Sequence, residues 1–106
     1  MMKSMKFVII QCVKAYHPEL QQLLESIHVD AYSEMDVEGF MKNADGNSDL
    51  SNWFAAKENP YNYVVSFTFL AEDKAGMLLE RIREFNAGIE DMSPINAYII
   101  GVEKFV

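Results

Sequence analysis

The chain holds a single cysteine, Cys12, in 106 residues. An internal disulfide is therefore excluded, which is compatible with a reducing compartment. Basic residues are scarce and scattered: nine Lys and Arg stand against sixteen Asp and Glu, for a net charge of −7. Nucleic acid and anionic membrane both require a clustered basic surface, so neither is an expected partner. Cations and basic protein surfaces remain open. No apolar run approaches the roughly 20 residues that span a bilayer, so direct membrane insertion is not expected. The apolar stretch after Met1-Met2-Lys3-Ser4-Met5 is too short for a signal peptide, and no small-residue cleavage site follows it. The expected location is cytoplasmic. The short motifs of catalysis are missing too: there is no Ser/His/Asp set, nucleophile elbow, phosphate loop or paired-histidine motif. The expectation is a protein that is not an enzyme. His17, His28 and Cys12 are the only soft or borderline metal ligands besides methionine, and their spacing fits no zinc pattern, so no metal site is assigned.

What the chain does have is hydrophobic patterning. Half of its residues are apolar, enough for one domain over 1–106 with its own core. Lys6 to Val13 is short, β-branched and almost wholly apolar, the signature of a strand buried on both faces. Pro18 suits a first helical turn, and Leu20, Leu23, Leu24 and Ile27 then mark one buried helical face. From Asp30 to Met41 the period becomes two, which predicts a half-exposed strand. Residues 42–60 predict a long loop, with a helical turn at Trp53 to Lys57; loops of this length are commonly functional. Tyr61 to Leu70 alternates as a strand. Asp73 is the expected cap of a second helix with a stripe at Ala75, Leu78, Leu79, Ile82 and Phe85, and Gly88 is expected to end it. Ala97 to Val106 is the expected last strand.

This order, β-α-β-(long loop)-β-α-β, specifies an α+β ferredoxin-like sandwich: an antiparallel four-stranded sheet with two helices on one face. Its first strand carries Val8, Ile10 and Cys12 on one side, and Phe7, Ile9 and Val13 on the other. The last strand carries Tyr98, Ile100 and Val102 against Ala97, Ile99 and Phe105. Both sheet faces are thus apolar while the helices cover only one. A symmetric neighbour is the natural cover for the second, and a homotrimer is expected.

The stretch Met35-Asp36-Val37-Glu38-Gly39-Phe40, followed by Lys42 and Asn43, resembles the second strand of the PII signalling family, which runs through a T-E-V-K-G-F-G-R pattern into a mobile loop. Lys14 just before the first helix is similar as well, and the layout matches over nearly the whole chain. The resemblance is to divergent PII-like members. It implies a trimeric regulatory module that senses a small-molecule effector and controls a protein partner, such as a membrane transporter or efflux system, through its loop. It also implies a ligand site at Gly39, Phe40, Lys42 and Asn43. The classical family binds ATP or ADP with a G-x-G-D-G-K-like turn after the second helix and an R-x-R near the C-terminus. Here the turn reads Gly88-Ile89-Glu90-Asp91-Met92-Ser93-Pro94 and the chain ends at Lys104-Phe105-Val106. Of the phosphate-facing cations only the Lys42 position survives, and no particular cofactor is assigned. The CutA-like cation-tolerance proteins share the trimeric architecture and supply the alternative reading: a trimeric cation-binding protein.

Two other features stand out. Glu34, Asp36 and Glu38 form an acidic stripe on one strand face, most simply the charges by which an edge strand discourages stray pairing. In the loop, Leu50, Trp53 and Phe54 break a polar context. They form either a plug folded onto the body or an anchor for the partner.

Overall fold

The computed structural model describes residues 4–40, 61–89 and 93–106. β1 (Met5–Val13) leads through a short 3-10 turn (Lys14–Tyr16) into α1 (His17–Ser26). β2 (Ser33–Gly39) follows. After residues 41–60 come β3 (Tyr61–Ala71), α2 (Glu72–Ala87) and β4 (Asn96–Gly101). The sheet order is β2-β3-β1-β4, with every neighbouring pair antiparallel. This is the expected ferredoxin-like sandwich.

The core lies between the helices and one sheet face. Val8, Ile10 and Cys12 of β1 pack with Leu20 and Leu24 of α1 and with Ala75, Leu78 and Ile82 of α2. Spacings of three and four residues bring the helical members onto one side of each helix. The register puts Ser66, Thr68, Ala97 and Ile99 on this same face.

The opposite face of the sheet has no helix. It carries Phe7, Ile9 and Gln11 of β1, Val65, Phe67 and Phe69 of β3, Met35 and Val37 of β2, and Asn96, Tyr98 and Ile100 of β4. Phe7 stacks obliquely on Phe69 and Phe67, with ring centroids 4.9 and 5.8 Å apart. None of these residues is charged. Phe69 is 55% exposed, Met35 51% and Ile100 48%, an unusual display of apolar surface for a lone domain.

Several local readings are corrected. Asp73 is not the cap of α2: the helix starts at Glu72, with Ala71 in the cap position and no side-chain bond. The Asp73 carboxylate accepts instead from the Lys74 amide. Gly88 closes α2 at φ −96°, a conformation open to any residue, so its glycine freedom is unused. Among the described non-glycine residues, His28 (φ 63°), one past the last turn of α1, is the left-handed one. Its amide bonds the Glu25 carbonyl and the Val29 amide bonds Leu24, both at 3.0 Å, which is the Schellman closure. β2 starts at Ser33, not Asp30. β4 stops at Gly101 rather than running to Val106; the Val102 amide bonds the carbonyl of Met5, the first residue of β1.

Candidate ligand site

Strand register aligns four strand ends at one end of the sheet. Val13 lies opposite Tyr63, Gly39 opposite Tyr61, and Gln11 opposite Asn96. The end of β1, both roots of the 41–60 segment and the entry to β4 therefore share one rim. Gly39 is the buried last residue of β2, and Phe40 beside it is 65% exposed. Lys42, Asn43, Leu50, Trp53 and Phe54 lie outside the described residues, as do Glu90, Asp91 and Met92 of the turn after α2.

That turn is fastened at its base. The Asn86 side-chain amide donates to the Ile95 carbonyl at 2.8 Å, and its oxygen accepts from the Ile95 amide at 2.9 Å. The pair imitates one rung of a strand ladder and joins the end of α2 to the start of β4. A groove of about 220 Å³ runs beside it, lined by Leu79, Arg83, Asn86 and Asn96 among others. Sequence reasoning passed over Asn86 because a lone asparagine near a helix end has no distinctive signature.

Two cations among the described residues near this rim sit beside carboxylates. Lys14 pairs with Asp36 at 3.4 Å, and Arg83 with Glu80 at 2.6 Å. An incoming phosphate would have to compete with a carboxylate at each.

The acidic stripe proves to be a fastening on the helix side of the edge strand. Glu34 Oε2 accepts from the Ser66 hydroxyl at 3.1 Å and contacts His17 Nε2 at 2.8 Å. With the Lys14–Asp36 pair, these contacts tie the entry of α1 to β2. The Ser66–Glu34–His17 chain is not a nucleophile relay, since Ser66 is 1% exposed and gives its proton to the carboxylate rather than to the imidazole. Burial, reinforced by Glu19 and Glu34, pushes the nearby Cys12 thiol from 9.0 up to about 12. A thiol held neutral is neither nucleophile nor metal ligand. Among the described residues no three His, Cys, Asp or Glu side chains come close enough together to hold a metal ion, and no helix is long and apolar enough to cross a membrane.

No family model and no curated protein matches the sequence. Solved structures do match, and they define the fold as that of the PII-like proteins. CPII, a nitrogen regulatory PII-like protein from Thiomonas intermedia solved with ADP, AMP and bicarbonate, aligns over 97% of each chain with TM-score 0.61 and 16% identity. PII of Arabidopsis thaliana, solved with citrate, aligns over 94% of this chain and 78% of its own, with TM-score 0.66 and 13% identity. A PII-like signalling protein of Thermus thermophilus aligns over 94% and 87%, with TM-score 0.62 and 15% identity.

Proposed function

We propose that this chain is a PII-like regulatory binding module, cytoplasmic and non-enzymatic. In this reading it assembles as a homotrimer, takes a small ligand at the rim formed by Gly39, Phe40, Lys42, Asn43 and the turn after α2, and reports occupancy to a protein partner through residues 42–60. The observation that carries the reading is convergence: both roots of the long segment and the fastened turn meet on one rim, in a fold whose solved examples include proteins bound to ADP, AMP, bicarbonate and citrate. A ligand controls a partner only by binding two states with different affinity, and a segment anchored at the ligand rim is where such a difference can arise. A membrane transporter is a suitable partner class. No observation favours the cation-tolerance alternative over this one.

A thermal-shift screen of nucleotides, cyclic dinucleotides, carboxylate metabolites, bicarbonate and metal ions tests the reading, with calorimetry on the hits. At least one small anion or metabolite should raise the melting temperature. ATP should bind weakly, with Kd above roughly 0.1 mM or about 5.5 kcal/mol at most, because of the family's phosphate-facing cations only the Lys42 position survives and the glycine turn is absent. A screen without any hit overturns the sensor reading. Micromolar ATP affinity would show that phosphate is gripped by groups other than those named.

A further inference from the structure

We propose that Asn86 is a positioning residue for the ligand rim: it holds both ends of the turn after α2, so that a ligand meets the turn with those ends already in place. The inference rests on the ligand-site reading proposed above and goes beyond it by naming a residue on which the shape of that site depends. Asn86 is half-buried in the last turn of α2. Its carboxamide donates to the Ile95 carbonyl at 2.8 Å and accepts from the Ile95 amide at 2.9 Å. Ile95 is 2% exposed and belongs to the core. Asn96, next to it, opens β4 and lies opposite Gln11. The clamp therefore stands one residue ahead of the first rung of the β1–β4 ladder and partners both main-chain groups of Ile95.

The main chain of the same residue serves the other end of the turn. The Ile89 amide bonds the Asn86 carbonyl at 3.4 Å, beside the bond from the Gly88 amide to the Phe85 carbonyl at 3.0 Å. Asn86 thus reaches Ile89 through its backbone and Ile95 through its side chain. A carboxamide offers a donor and an acceptor side by side, as a peptide group does. Aspartate keeps the shape but loses the donor, and its charge would face a carbonyl oxygen; alanine removes both bonds. The Ile95 side chain is already seated in the core, so the clamp adds less to the attachment of β4 than to the orientation of the main chain that enters it. A turn with fixed ends has fewer conformations to give up when a ligand docks, and affinity gains by that difference.

Calorimetry on the full chain tests this, with citrate, bicarbonate and ADP as probes and circular dichroism as the check on folding. Each variant is titrated well below its own melting temperature. Asn86→Ala and Asn86→Asp should each bind the probe that the wild type binds at least about tenfold more weakly. Ile27→Val trims the core at the far end of α1, away from the turn; it should melt earlier and keep the affinity of the wild type. Hydrogen exchange gives a readout without ligand: in Asn86→Asp the amides of Ile89 and Ile95 should lose protection while those of β1 keep theirs. If both Asn86 variants bind as tightly as the wild type, or if Ile27→Val loses as much affinity as they do, Asn86 serves the fold alone and the proposal is overturned. A wild type that binds none of the probes overturns the site reading, and the role of Asn86 with it.

Discussion

The Cys12 thiol donates to the Val13 carbonyl at 3.2 Å and is 1% exposed. Its pKa, raised to about 12 by burial and then by Glu19 and Glu34, has a consequence for stability. Below the unfolded-state value of about 9 the thiol is neutral in both states and contributes no pH dependence. As pH rises past that value the unfolded chain ionises first, so stability falls until the folded pKa is reached. Denaturation midpoints measured from pH 8 to 10.5 should therefore decline more steeply for the wild type than for Cys12→Ala, and Cys12 in the folded protein should resist iodoacetamide until denaturant is added. Equal slopes would show that the thiol is solvated. His28 makes a second residue-scale case. A side chain in the left-handed region costs roughly 1–2 kcal/mol against glycine, part of which glycine returns through its looser unfolded state. His28→Gly should raise stability by roughly 1 kcal/mol and His28→Val should lower it, as read from denaturant midpoints. The sequence shows a histidine after an apolar stripe and nothing of its φ. Gly88 carries the more obvious signal, yet the Asn86 clamp on Ile95 lets that helix end in an ordinary conformation.

At the scale of elements, hydrophobic period was enough to place both helices and all four strands of the described residues, because burial on one face dictates period and period is visible in sequence. Element ends were less legible, since they depend on partners elsewhere in the chain: β4 ends where β1 begins, and β2 begins where the Thr68 hydroxyl takes the Ala31 carbonyl at 2.6 Å and the ladder starts. The Glu34 fastening belongs to this scale too. As sequence, Glu34, Asp36 and Glu38 are three charges on an edge. In the fold, Glu34 joins β2 to β3 through Ser66 and to α1 through His17. Glu34→Ala should leave the buried Ser66 hydroxyl without its acceptor and cost about 1–3 kcal/mol. A double-mutant cycle with His17→Ala should return a coupling of roughly 0.5–1.5 kcal/mol. Zero coupling would mean that the contact at 2.8 Å adds nothing to the fold. Of the residues read from the sequence as a ligand site, strand register places Gly39 at the rim, opposite Tyr61. Asn86 could not be found that way, because its role depends on Ile95 arriving from the following strand.

For the whole molecule, the two apolar faces of β4 ask to be separated by experiment, and neighbouring residues allow it. Ile99 and Ile100 are chemically identical and adjacent, yet they point to opposite sides of the sheet. Ile99 lies opposite Val8 and packs against the core, whereas Ile100 lies opposite Phe7 on the helix-free face and is 48% exposed. Aspartate at position 99 would set a carboxylate against the apolar core beneath the helices, a burial costly enough to unfold a domain of this size. Aspartate at position 100 disturbs the lone chain little, because the side chain can stay in water. Inside an assembly it would set carboxylates into an apolar contact, and that should separate the copies. The expected pair of outcomes is an unfolded Ile99→Asp and a folded, monomeric Ile100→Asp. Circular dichroism would read folding, and light scattering would read mass at micromolar concentration. A folded Ile100→Asp of unchanged mass would mean that the helix-free face is not where the copies meet. The proposed trimer would then need another surface, and the uncharged sheet face would need another reason to be apolar.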